Sequence, residues 1–348
     1  LDADSLDLHT FGLIDIHEGN TFSTQLTADL RGNDIDHIIG KIIVNDLTMH
    51  RPTDDYLIRE IALYASDPEN KMLSLQADFM QATVRGAFTY RSLANSLLEH
   101  LHHSLPTLGK NLQHHHEDSD NLCLINIGIH DAAPLQELLL QPVDLIGKAQ
   151  LDLLINDPAN ELKLNASIPH IVYDGNTIKT ISLECHSLRQ GLDLLAGATL
   201  YDNANNAVTA NIVTRAANDK LDLGALWNSN PTGKFEGTFH TQATFAIDDN
   251  DGSLTTFIQA DSTCTTLNNS KWELDPFRLE IGPEHILIDG LHFANDTTQH
   301  LSADGVIARH DTDTLQVSFQ NLDLGYLLTM VKLEGISFDG AVSGHAEI

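Results

Sequence analysis

The residues with the most reactive side chains are histidines, cysteines and one acidic turn, and their spacing decides what they could do. His100, His102 and His103 close a leucine-rich stretch, and His114, His115 and His116 follow in a polar one. Only His100 and His103 are spaced to share one helical face. A specific zinc or copper site needs ligands fixed in place and oriented by further hydrogen bonds, and an aperiodic polar stretch supplies neither. These histidines are therefore read as solvated, and no metal is expected. Cys185 and His186 are adjacent, so on a strand they point to opposite faces and are poorly placed as a thiolate–imidazole pair. The turn Asp248 to Gly252 lacks the spacing and the closing glutamate of a helical calcium loop. No nucleophile elbow, zinc-protease helix or phosphate-cradling loop occurs in the chain. Neither catalytic residues nor a cofactor are expected.

The chemistry that recurs is apolar. Leu162, Leu164, Ala166 and Ile168 alternate with Lys163, Asn165 and Ser167, the period of a strand with one dry and one wet face. The same scheme places Phe239, Ala243, Phe245 and Ile247 together, then Leu315, Val317 and Phe319, then Ile336, Phe338 and Val342. Two readings of these stripes stand side by side. They form the shared core of two packed sheets, or they line an open groove on a single curled sheet. An aliphatic groove shelters an acyl chain well: at about 0.8 kcal/mol per methylene, a sixteen-carbon chain gains roughly 12 kcal/mol over water.

The elements that carry these stripes are mostly strands. Phe22, Leu26, Ala28 and Leu30 share a face, as do Leu73, Leu75, Ala77 and Phe79, and turn-forming clusters such as Asp174-Gly175-Asn176 separate the runs. The pattern predicts a mainly β meander of roughly fifteen strands, most paired with their sequence neighbours. At about 4.8 Å per strand such a sheet extends roughly 70 Å, too wide to stay flat, so it must close, split or curl. Helical spacing appears in three short places: Leu93, Leu97, Leu98, Leu101 and Leu105 before Pro106; Leu135, Leu138 and Leu139 after Pro134; and Leu324, Leu327, Leu328 and Val331. These helices are expected to plug or cap an edge. The polar run 108–120 is read as a linker between a first unit, 1–107, and a second, 121–348. Trp227 and Trp272 are read as packing anchors.

Composition narrows the function classes. With 19 basic and 49 acidic residues the chain carries a net charge of −30, which opposes binding to nucleic acid and to anionic lipid headgroups. Three cysteines, none in a C-x-x-C pair, are too few for a disulfide-stapled fold. Aromatic residues make up 6%, few for the stacking platforms of a glycan-binding repeat protein. The opening LDADSLDLHT is not a signal peptide, and no run approaches the length of a spanning helix. An envelope location would make this a segment of a longer chain.

Three segments carry a family likeness: LKLNASIPHIVYDGNTIKTISLECHS, SKWELDPFRLEIGPEHILIDGLHFAND and TLQVSFQNLDLGYLLTMVKLEGISFDGAVSGHAEI. In this order, over residues 121–348, they resemble the central region of TamB-like proteins of Bacteroidota, in the AsmA-like superfamily. The last is the most specific, with a strand at Leu315 to Phe319, a short helix at Leu324 to Val331 and the glycine-punctuated Phe338-Asp339-Gly340 and Gly344. Residues 1–107 match only in character, and the histidine-rich stretch His100 to His116 departs from the family pattern. The resemblance implies an elongated meander curled into an open, β-taco-like groove. It implies a periplasmic protein anchored in the inner membrane by an N-terminal helix, with an Omp85-type outer-membrane barrel as partner. The implied role is carriage of phospholipid between the two membranes, or, as the alternative, a scaffold for assembly of outer-membrane or secreted proteins.

Overall fold

The computed structural model describes residues 2–6, 20–51, 54–66, 71–112, 120–139, 143–173, 176–188, 191–201, 206–229, 232–248, 251–267, 269–295, 298–308, 314–323 and 340–347. Ile336, Phe338, the helix expected over Leu324 to Val331 and His114 to His116 lie outside the described residues. Within them the chain is mainly β. Twenty-three strands belong to one antiparallel sheet, with a few short helices between them. The chain forms two compact units. One comprises residues 1–100, 115–189 and 196–205; the other comprises 101–114, 190–195 and 206–348.

In the first unit the strands are β1 (Asp2–Leu6), β2 (Thr21–Arg31), β3 (Ile39–His50), β4 (Asp55–Ala65), β5 (Met72–Ala77), β6 (Met80–Ala87), β7 (Leu122–Ile129), β8 (Val143–Leu145), β9 (Ala149–Asn156), β10 (Glu161–Tyr173) and β11 (Asn176–Leu188). Each of β1 to β5 pairs with the next strand in sequence. Strand β6 then pairs with β7 over eight residues, from Met80↔Ile129 to Ala87↔Leu122. Strand pairing thus continues from β6 to β7 across the polar stretch 108–120. Strands β9, β10 and β11 continue the ladder, while β8 pairs beyond β9 with the far end of β10. Helix α3 (Ala133–Leu139) carries Pro134 in its first turn, as read from the sequence, and its Glu137 accepts from the Arg51 guanidinium.

The second unit contains β13 (Ala207–Ala217), β14 (Lys220–Asn228), β15 (Phe235–Ile247), β16 (Leu254–Ala260), β17 (Thr263–Leu267), β18 (Ser270–Leu274), β19 (Phe277–Ile281), β20 (His285–Asn295), β21 (Gln299–Ala308), β22 (Leu315–Asp323) and β23 (Ala341–Glu347). Strand β12 (Gly191–Tyr201) contributes its first five residues here and the rest to the first unit. Asn218 and Asp219, both at positive φ (54° and 58°), make the two-residue loop joining β13 to β14, as a right-twisted hairpin requires. Between β15 and β20 lie two short tiers instead of one long hairpin. Strands β16 and β19 pair in one tier, and β17 and β18 pair in the other. Each crossing between tiers is held in the same way. Asp261 donates its backbone N–H to the His240 carbonyl (3.0 Å) and pairs with the His240 ring (2.6 Å). Asp275 does the same with His292, at 2.9 Å in both cases. Such splitting raises the strand count above the fifteen expected, because alternation alone does not show where a long apolar run is cut by a crossing.

Two helices follow β6, where one was expected. Pro106 ends α1 (Ser92–Ser104) and opens α2 (Pro106–Leu112), so residues 108–112 are helical and not linker. The Asp219 carboxylate accepts from the Thr107 backbone N–H (2.8 Å) and hydroxyl (3.1 Å), capping α2. Helix α1 is oriented against its own periodicity. Ser92, Ser96 and His100, four residues apart, are 8%, 0% and 3% exposed, whereas Leu97 and Leu98 are 45% and 37% exposed. Of the leucines expected to plug an edge, Leu105 is 2% exposed and Leu93 and Leu101 are half-buried, while Leu97 and Leu98 face outward; His100 is not solvated.

Candidate functional site: the apolar sheet face

Register converts the alternation into rows that cross the sheet. In the first unit, Ala28, Ile42, Leu63, Leu75, Ala82, Ile127, Leu151, Ala166 and Leu183 stand directly opposite one another on consecutive strands, an unbroken apolar row over nine strands. Two residues along, Leu30, Gly40, Ala65, Leu73, Val84, Ile125, Leu153, Leu164 and Cys185 make a second. On the opposite face, the row between them reads Asp29, Lys41, Tyr64, Ser74, Thr83, Asn126, Asp152, Asn165 and Glu184. At about 4.8 Å per strand, each row is roughly 38 Å long.

The candidate lining residues of β10 all fall on this apolar face: Leu162 opposite Ile155, Leu164 between Leu153 and Cys185, Ala166 between Leu151 and Leu183, and Ile168 opposite Ile181. In the second unit the equivalent row is Ala216, Leu221, Ala243, Ile258, Leu279, Ile288, Gly305 and Leu315. Phe239 stands opposite Ala225, Phe245 opposite Thr256, and Ile247 opposite Leu254. Val317 lies between Ala303 and Ala346, Phe319 between Leu301 and Gly344, and Val342 opposite Leu322. Trp272 is buried and stacked on Phe293, with ring centroids 4.8 Å apart, a packing anchor in this face.

The degree of burial separates the two readings of the stripes. In a packed sandwich the inner face is fully buried. Here Leu164, Ala166, Ile168, Ile125, Ile127, Leu151, Ile181 and Leu183 are only half-buried, as are Phe239, Ala243, Phe245, Ile247, Val317, Phe319 and Val342. Their neighbours in the rows stand directly opposite them on the adjacent strands. The alternating Lys163, Asn165, Ser167, Ser182 and Glu184 are exposed. The apolar face is therefore continuous across the strands and only partly buried.

Leu153, Ala216, Leu315 and Ala303 are buried within the face, and at one rim Cys123, Ile155, Leu162 and Cys185 are 1–6% exposed beside a polar network. The Asp157 carboxylate accepts from the Ser96 hydroxyl (2.8 Å) and the Asn121 backbone N–H (2.8 Å), and its other oxygen lies 3.5 Å from His100 Nε2. The Asn121 side chain donates to Ser96 (2.6 Å) and accepts from Thr89 N–H and the Ser92 hydroxyl. Burial pulls the His100 imidazole below its ordinary range, against the opposing pull of Asp157. Burial, with Asp157 adding to it, pushes the Cys123 thiol up to about 11, which makes it unreactive at neutral pH. This rim is structural in character.

Cys185 lies opposite Leu164 and His186 opposite Lys163, so the two occupy different faces. Gly252 N–H closes the acidic turn on the Asp248 carbonyl (2.8 Å), and Ser253 N–H holds Asp251 below the usual carboxylate range. Among the described residues no group of three or more His, Cys, Asp or Glu side chains is placed to hold a metal ion. Ile42 and Ile125 were not legible as lining, because they sit in runs such as Ile42-Ile43-Val44 where consecutive apolar residues hide the parity; Leu151, between Gln150 and Asp152, does alternate and was missed. No protein family, curated protein or solved structure matches this chain.

Proposed function

We propose that this chain is a non-enzymatic, lipid-carrying segment of a cell-envelope protein, whose apolar sheet face holds acyl chains while headgroups stay in water. The observation that carries the reading is the pair of nine-strand apolar rows left half-open in the first unit. An alkyl chain lying along such a row meets nearly the same lining at every strand, so it can slide without a deep trap. Because only one side is covered, a sixteen-carbon chain would gain roughly half the full transfer value, about 6 kcal/mol. That is enough to extract a chain transiently and little enough to release it. The acidic exterior disfavours direct contact with anionic headgroups and suits passage between membranes. The likeness of residues 121–348 to TamB-like proteins adds the expected setting: the periplasm, an inner-membrane anchor, an Omp85-type barrel partner and phospholipid as cargo.

The test is native mass spectrometry with lipid extraction of the chain purified from bacterial membranes in mild detergent, beside a Leu164→Asp, Phe245→Asp, Val317→Asp variant. Phospholipid on the parent and its loss from a still-folded variant are expected. Absence of lipid from the parent would overturn the reading and move the assembly-scaffold alternative ahead.

A further inference from the structure

One end of the apolar rows in the first unit is roofed. Leu30, Gly40, Ala65 and Leu73 begin one row, and Ile42 and Leu63 stand beside them in the other. Here they line a pocket of about 250 Å³ together with Ile35, Ile38 and Tyr90. Gly40 and Ala65 form the depression, since both lack the bulk found at the same height on neighbouring strands. At Gly40 a side chain is excluded outright: φ is +135° and an added Cβ would meet the Asp29 carbonyl oxygen at 1.9 Å. The roof is the 3-10 turn Ile35–His37 with the segment after β6. One carboxylate staples them, as Asp36 Oδ1 accepts from Tyr90 N–H (2.7 Å) and lies 3.3 Å from the Lys71 ammonium. Lys71, only 7% exposed, also donates to the Phe88 carbonyl (2.9 Å) and sits over the rings of Phe88 and Tyr90 at 4.6 and 4.3 Å. The buried cation is thus satisfied by the roof and is not offered to a ligand. At the mouth, Leu30 and Ile35 remain 43% and 53% exposed and form an apolar rim.

We infer that this roofed end is a binding site for the methyl-terminal segment of a straight alkyl chain, an end stop for the apolar track. The inference rests on the lipid-carrying reading and places one end of the guest. The lining admits no other chemistry well, because its only polar side chain is the Tyr90 phenol and any charged terminus would be buried without a partner. On the scale by which a 150 Å³ apolar cavity holds benzene, the pocket takes roughly ten carbons. The remainder of a long chain would continue along the row toward Val84 and Ile125.

The experiment compares hexadecanoic acid with hexadecanedioic acid by titration calorimetry on the whole chain, in the parent and in Ala65→Phe, which fills the depression. The parent should bind the monoacid at least tenfold more tightly than the diacid, whose second carboxylate would enter the pocket. Ala65→Phe should abolish that preference, and Ile38→Trp, which fills the same space from the roof, serves if Ala65→Phe does not fold. Native mass spectrometry after exposure to phosphatidylethanolamine vesicles asks about the source. A diacyl lipid bound to the parent and at least fivefold depleted in the variant identifies phospholipid, whereas hexadecanoic acid binding alone identifies a single-chain amphiphile. Equal affinity of the parent for the two acids, or an unchanged preference in the pocket-filling variant, overturns the end stop and leaves the groove standing. Failure of the parent to bind either acid overturns both.

Discussion

The sheet face and helix α1 both leave leucine side chains open to water, for opposite reasons. On the sheet, register gathers rows such as Ile127, Leu151, Ala166 and Leu183 on one face, where these side chains are only half-buried. On α1 the buried side is Ser92, Ser96 and His100, drawn in by Asn121 and Asp157, while Leu97 and Leu98 face outward. Hydrophobic pattern therefore dictates orientation in the strands, where the backbone leaves no choice of face. In the helix a buried carboxylate decides, because leaving its oxygens unpaired costs more than exposing two leucines.

The largest expected effect tests the helix side of this comparison. Asp157→Ala removes the acceptor shared by Ser96 and Asn121 and leaves buried donors unpaired, and urea unfolding should show a loss of about 3 kcal/mol. Leu164→Ala on the sheet should cost less, about 1–2 kcal/mol, since a half-open leucine loses only part of the 2–5 kcal/mol of a core truncation. A loss of 4 kcal/mol or more there would mean that the face is covered. His100→Gln sharpens the helix side further. The folded state holds the His100 pKa below that of the unfolded chain, so its contribution to stability is fully present above about pH 6.5 and falls as the unfolded chain takes up the proton. Between neutral pH and pH 5 the parent should lose more stability than His100→Gln, read from urea midpoints at each pH. The smallest effect is expected at Leu97→Ser, within about 0.5 kcal/mol of the parent.

How much of this was legible in the sequence follows from the same contrast. Strand β10 reads directly, since Leu162, Leu164, Ala166 and Ile168 alternate with polar residues and the structure keeps all four on one face. Strand β3 does not, because Ile42, Ile43 and Val44 are consecutive and Asp46 sits at φ 49°, so only pairing with β2 and β4 assigns the faces. Strand β20 changes parity at a bulge between Ile288 and Leu291, where Gly290 has φ 75°, and a period-two search cannot cross it. The roofed pocket was not legible at all. Asp36, Lys71 and Tyr90 are far apart in the chain and meet only once β2 to β6 are in register.

On the proposed function, acyl chains lie on the apolar face and not on its polar reverse. The most direct measurement places a photo-crosslinking residue at Ala166 or Val317, and in parallel at the adjacent Ser167 or Ser318, and exposes each variant to phosphatidylethanolamine vesicles. The account predicts acyl-chain adducts from Ala166 and Val317 and none from Ser167 and Ser318. Equal adducts from adjacent positions, or none from any, would contradict it.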